Sequence, residues 1–150
     1  MTARFQITID CNDPAPLTRF WALALGYVVE PPPAGFDTWN AYLRSIGVPE
    51  EELDDAADAA DSLVDPSGAG PRIFFQLVPE AKVVKNRLHL DLEAGGGRSV
   101  PLAVRRERVR ARGDELVAAG ARRLRVLSTP GLDHYGEVFT DPEGNEFCIH

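Results

Sequence analysis

Cysteine is nearly missing from this chain: Cys11 and Cys148 are the only two in 150 residues. Two thiols do not make a disulfide framework, so the fold has to rest on a packed core. Basic residues are outnumbered, 16 against 23 acidic ones, for a formal charge of −7. That sign excludes the ordinary nucleic-acid binder, whose affinity comes largely from neutralising phosphates. No run approaches the ~20 apolar residues of a membrane span. Met1 to Phe5 leads straight into an alternating segment with no apolar signal-peptide core. The expectation is a cytoplasmic protein with neither a membrane nor a nucleic-acid partner.

Hydrophobic residues make up 44% and charged residues 26%, which fits one globular domain over 1–150 and excludes a disordered chain. The charge is unevenly spread. Glu50, Glu51, Glu52, Asp54, Asp55, Asp58 and Asp61 crowd one segment, and Arg105, Arg106, Arg108, Arg110 and Arg112 crowd another. Such runs read as solvated surface, or as partners for each other in an assembly.

The chain runs twice through one order of elements. Phe5 to Cys11 alternates as a half-buried strand does. Asp13-Pro14 is a helix start, with Asp13 as cap, and Leu17, Phe20, Trp21, Ala24 and Leu25 keep helical spacing up to Gly26. Tyr27 to Glu30, Ser62 to Val64 and Arg72 to Val78 read as strands, the last two around Asp65-Pro66-Ser67-Gly68. The second pass begins at Arg87 to Glu93. A helix containing Val104, Val109, Leu116, Val117 and Ala118 follows and ends at Gly120. Strands over Arg122 to Leu127, Tyr135 to Phe139 and Asn145 to Ile149 complete it, with Asp141-Pro142-Glu143-Gly144 repeating the earlier turn.

The fold class expected is α+β, two βαβββ modules forming a curled mixed sheet around a shared cleft. Module one covers about 1–79 with an insertion at 31–61, module two about 86–150, and Pro79 to Lys85 links them. The insertion carries a helix around Thr38 to Ile46. Its aromatics, Phe36, Trp39 and Tyr42, and its acidic run suggest a flap at the cleft mouth.

Alternation splits each strand into two faces. Phe5, Ile7, Ile9 and Cys11 oppose Gln6, Thr8 and Asp10. Leu88, Leu90 and Leu92 oppose His89, Asp91 and Glu93. Ile73, Phe75 and Leu77 oppose Arg72, Phe74, Gln76 and Val78, and Phe147 and Ile149 oppose Glu146, Cys148 and His150. The apolar faces are for the helices to cover. The polar faces line either solvent or a cavity.

The stretch Gln6-Ile7-Thr8-Ile9-Asp10-Cys11-Asn12-Asp13-Pro14, the Leu25-Gly26-Tyr27 helix end and the paired Asp-Pro-x-Gly turns resemble the vicinal oxygen chelate superfamily of glyoxalase I, extradiol dioxygenases and bleomycin-resistance proteins. Gly70 to Gln76, Lys85 to Leu92 and Asp141 to Cys148 are similar, more narrowly, to its glyoxalase-like domain proteins, common in actinobacteria. Fourteen arginines against two lysines suit a GC-rich genome of that kind.

The resemblance implies metal-ligand positions at Gln6, Gln76, His89 and Cys148, all on the polar faces. Two of them, Gln76 and Cys148, stand where glutamate is usual. An amide brings no charge to a hard cation. Zn²⁺ accepts imidazole and thiolate, but two amides would have to complete the site. The loss of both glutamates argues against the glyoxalase I reaction itself. Glu146, on the same face as Cys148, could substitute as a base where the strand shifts or the cavity is shallow.

His89 reads equally as a ligand or as an ordinary hydrogen-bonded imidazole, and Cys148 as a small hydrophobe with no basic partner evident. The implied function is binding of a small-molecule ligand at Gln6, Gln76, His89, Glu146 and Cys148, which are expected to converge. Enzyme activity is left open. The alternatives are a metal-assisted lyase, isomerase or dioxygenase, and a drug-sequestering resistance protein of the bleomycin type. No cofactor is expected and no tightly bound catalytic metal, although a divalent metal stays open. A homodimer, with modules exchanged between chains, is compatible with the resemblance.

Overall fold

The computed structural model describes residues 3–53 and 61–150. Asp54, Asp55 and Asp58 of the acidic run therefore lie outside the described residues. The chain divides into two compact units, Met1–Pro79 and Glu80–His150.

Among the described residues, the first unit is a four-stranded mixed sheet with two helices. Strand β1 (Gln6–Cys11) leads into α1 (Pro14–Leu25), followed by β2 (Val28–Val29), α2 (Trp39–Ser45), a 3-10 turn at Glu50–Glu52, β3 (Ser62–Val64) and β4 (Arg72–Leu77). The order is β1-β4-β3-β2, with β1 parallel to β4 and the other pairs antiparallel. Helix α1 starts at Pro14 and stops at Gly26, whose φ of 69° closes the helix in the left-handed conformation that glycine adopts cheaply. Asp13 holds the cap position, but its side chain does not make the capping bond expected of it. Leu17, Phe20, Trp21 and Ala24 are buried, as are Leu63, Ile73, Phe75 and Cys11.

The described part of the insertion gathers around its own aromatics. Tyr42 meets Phe36 edge-on at 5.4 Å and Trp39 at 6.0 Å between ring centres, and Trp39 Nε1 donates to the Glu30 carbonyl at 3.1 Å. Glu50, Glu51 and Glu52 are exposed, as crowded carboxylates must be to keep their hydration.

The second unit is a sheet of order β5-β8-β7-β6 with one helix. Its elements are β5 (Asp91–Leu92), α3 (Leu102–Ala118), β6 (Arg122–Leu127), β7 (Gly136–Thr140) and β8 (Glu146–Ile149). Strand β5 is parallel to β8, pairing Asp91 with Cys148 and Leu92 with Ile149; the rest is antiparallel. Both sheets are open, and with three helices among the described residues the fold is α+β.

Two expectations need correction here. The strand foreseen over Arg87 to Glu93 shrinks to Asp91–Leu92. Its partner β8 begins only at Glu146, so residues before Leu90 have little to pair with, and the Asn86 N–H goes instead to the Glu146 carboxylate at 3.0 Å. Leu88, foreseen on the apolar face, is 89% exposed as a result.

In α3 the buried stripe is Arg105, Val109, Gly113 and Leu116, whose spacing of four, four and three follows the 3.6-residue turn. Val104 and Val117 sit off that stripe and are exposed. The arginine run is only in part a solvated face: Arg108 and Arg110 are exposed, but the run is also tied into the fold. Arg105 is buried and pairs with Asp133, Arg108 donates to the Gly95 carbonyl, and Arg106 and Arg110 lie over the Tyr135 ring.

Candidate functional site

The two Asp-Pro-x-Gly turns set the strand ends. The Asp65 carboxylate accepts from Ser67 N at 2.8 Å and Gly70 N at 2.7 Å, directing the chain into β4. Asp141 does the same before β8, accepting from Glu143 N at 3.0 Å and Asn145 N at 2.9 Å. Each bond satisfies a turn amide that no ladder reaches.

In the first unit, Gln6 and Gln76 share the polar face of a parallel pair but are not neighbours. Gln6 stands opposite Arg72 and Gln76 opposite Asp10, four residues further along, roughly 13 Å at the rise of a strand. Gln6 Oε1 accepts from Arg72 Nη1 at 3.0 Å. The same guanidinium pairs with Glu30 at 2.6 Å and donates to Ser62 Oγ at 2.8 Å. A fixed cation beside its oxygen makes Gln6 a poor metal ligand, and distance prevents one ion from taking both amides.

In the second unit, His89 and Cys148 come together and bring Asp91 with them. One ligand atom from each lies within 4.8 Å of the others. His89 Nδ1 is 3.1 Å from Asp91 Oδ1. Asp91 stands directly across from Cys148 in the β5–β8 register, and His89 precedes it by two residues, so all three belong to one face. Burial pushes the Cys148 thiol pKa up, and Asp91, which accepts its S–H, pushes it the same way; Arg125 and Lys85 pull it down. Asp91 is the functional candidate that sequence reasoning missed. It had been placed on the correct face, and its pairing with Cys148 across the parallel ladder was the missing step.

Glu146 is engaged elsewhere. Its carboxylate accepts the Asn86 N–H and pairs with Lys82 Nζ at 3.3 Å. The Asn86 amide first, with Lys82 adding to it, holds its pKa down to about 2 against burial, which works the other way. Glu146 thus anchors the start of the unit and is not poised as a base.

The sign of the pH dependence follows. A carboxylate depressed on folding stabilises fully above its ordinary value of 4.5, and that contribution is lost as pH falls toward about 2. In metal-free protein, the urea midpoint of wild type should exceed that of Glu146→Gln at pH 7, with the gap closing below about 4.5. A gap that stays constant to pH 2 would show that the bonds to Asn86 and Lys82 do not form in solution.

A family model described as a glyoxalase-like domain matches residues 6–150. Among curated proteins none matches the chain significantly. Solved structures share the fold at low identity. A glyoxalase/bleomycin resistance protein/dioxygenase family enzyme from Burkholderia phytofirmans PsJN is 18% identical, with 96% of this chain and 94% of that one covered and a TM-score of 0.55. The fosfomycin resistance protein FosX from Listeria monocytogenes, as a variant complexed with Mn(II) and 1S,2S-dihydroxypropylphosphonic acid, is 12% identical over 100% and 92% of the two chains, with a TM-score of 0.57. The oxidase ChaP-H1 is 11% identical over 99% and 94%, with a TM-score of 0.53.

Proposed function

The chain belongs to the glyoxalase-like domain family, and we propose that it binds an oxygen-bearing small molecule at a divalent ion held by His89, Asp91 and Cys148. The observation that carries this reading is the meeting of three different donors within 4.8 Å. Tetrahedral Zn²⁺, with bonds of about 2.0–2.3 Å, needs ligand atoms roughly 3.3–3.8 Å apart, so the three donors require only a small contraction. Imidazole, carboxylate and thiolate together suit a borderline-soft ion such as Zn²⁺ better than Mg²⁺. Asp91 supplies the charge that the four positions read from the sequence lacked.

Such an ion would polarise a ligand oxygen as a Lewis acid. The side chains account for the rest. Cys148 must lose its proton to become a ligand, and its raised pKa makes affinity increase with pH. Lys85 and Arg125 act on the same thiol and offer counter-charge to a negative oxygen. Val138, opposite Cys148 in the register and 6% exposed, keeps that side of the face apolar. With Glu146 tied to Lys82 and Asn86, this strand presents no free carboxylate for proton abstraction. The reading is therefore ligand binding and polarisation.

The test is metal titration of protein purified without chelators or a metal-carrying tag. One equivalent of Co²⁺ should bind with a thiolate-to-metal absorption band that Cys148→Ser removes. His89→Ala should weaken Zn²⁺ at least about 100-fold, the share of one ligand in a structural zinc site. Failure to bind either ion stoichiometrically, or binding that both variants retain, would overturn the metal centre.

A further inference from the structure

A second place in the same unit has the makings of a binding site, and it does not need the ion. A cavity of about 340 Å³ opens where β5 and β8 end, within the size range of small-molecule pockets. Arg105 forms part of its lining and is only 8% exposed. Its stem lies against Gly95, where a Cβ would come within 3.2 Å of the Arg105 Cβ and Cγ. Its Nε donates to the Val100 carbonyl at 2.9 Å and its Nη2 to Asp133. Nη1 has no partner among the described residues. A guanidinium fixed this firmly, with one nitrogen left over, is a preorganised anion donor.

Two further charged groups line the cavity. Arg98 and Glu93 make no hydrogen bond or ion pair among the described residues. The charge of Asp133 is already spent on Arg105. Gly136 lies next to His150 and His134 of this lining, and a Cβ there would meet the Ile149 carbonyl oxygen at 3.1 Å. A purely anionic ligand would meet Glu93, and a purely cationic one would meet Arg98. A molecule carrying both charges satisfies both.

We propose that this cavity binds a small zwitterion of the α-amino-acid type, with its carboxylate on Arg98 and Arg105 Nη1 and its ammonium on Glu93. The test is a chemical-shift titration of the full chain with three probes of one skeleton: L-norvaline, pentanoate, which lacks the ammonium, and butylamine, which lacks the carboxylate. Norvaline should saturate shifts of the Gly97, Arg98 and Tyr135 amides, with the other two at least about tenfold weaker, the scale of one lost ion pair. Arg98→Gln and Glu93→Gln should each weaken norvaline to a similar degree. Glu93→Gln should leave pentanoate no weaker, and His89→Ala should leave norvaline binding intact.

Unsaturable shifts with norvaline, equal affinity for norvaline and pentanoate, or indifference to both charge variants would overturn the proposal. Loss of norvaline binding in His89→Ala would overturn its independence from the metal centre. Failure of the metal titration with norvaline binding intact would leave this cavity standing alone.

Discussion

Replacing Phe147 by alanine is expected to cost the second unit about 3–5 kcal/mol, the range for removing a fully buried aromatic ring. Phe147 and Phe139 are both 0% exposed, and their rings stack at 5.6 Å. Truncation leaves a void that the second ring cannot fill without leaving its rotamer, so a cavity cost adds to the lost transfer energy. The effect should reach the site as well. Phe147 lies between Glu146 and Cys148 on a four-residue strand. Its anchoring on one face fixes the other two on the opposite face, so a loosened β8 misplaces the thiol against Asp91. Urea denaturation would read the stability change and Co²⁺ titration the site. Leu77→Ala, at a side chain 66% exposed, is the control and should cost well under half as much. A Phe147→Ala loss no larger than that of Leu77→Ala would mean that the ring is not part of the core.

Where turn and cap residues bound an element locally, its position was legible. Strands β3 and β6 coincide with their expected ranges, and α2 occupies Trp39–Ser45 inside the expected Thr38 to Ile46. Alternation also put His89, Asp91, Glu146 and Cys148 on their correct face. Illegible features depended on pairing partners distant in sequence. The length of β5 is set by β8, some 57 residues later by the Asp91–Cys148 pairing, and no local pattern in Arg87 to Glu93 announces it. The same long-range register made Asp91 a candidate.

Helix α3 misled for another reason. Its buried stripe contains an arginine and a glycine, so counting apolar residues selected Val104 and Val117 instead. Gly113 is there because a Cβ would lie 2.8 Å from the Phe139 ring and 3.0 Å from Glu137 Oε2. Its small size is the trace, on the helix, of a carboxylate buried in the sheet beneath. Strand β7 hides that carboxylate from any reading by alternation, because it is buried on both faces from Gly136 to Phe139.

Glu137 is that carboxylate, and its removal is the second large effect expected. It is 2% exposed, accepting from the Tyr135 hydroxyl and from Arg123 Nε, each at 2.7 Å. Arg123 continues to Asp114 at 2.8 Å, and Arg110 Nε donates to the Tyr135 oxygen at 3.1 Å. Burial, with Glu137 adding to it, pushes the Tyr135 pKa up, so the hydroxyl stays a donor. Glu137→Leu leaves that hydroxyl and the Arg123 Nε without their acceptor under α3. Breaking a buried charge pair this way costs about 3–5 kcal/mol, and since Arg123 retains 35% exposure the expected loss is shifted below that range, to about 2–4 kcal/mol. Most of that is the penalty of stranded partners rather than the worth of the ion pair. Removing the partners as well should therefore restore stability: Glu137→Leu with Arg123→Leu and Tyr135→Phe should unfold at higher urea than Glu137→Leu alone. If the triple variant is instead less stable than the single one by the sum of the separate losses, the network contributes favourably bond by bond, and the carboxylate under α3 is a net source of stability.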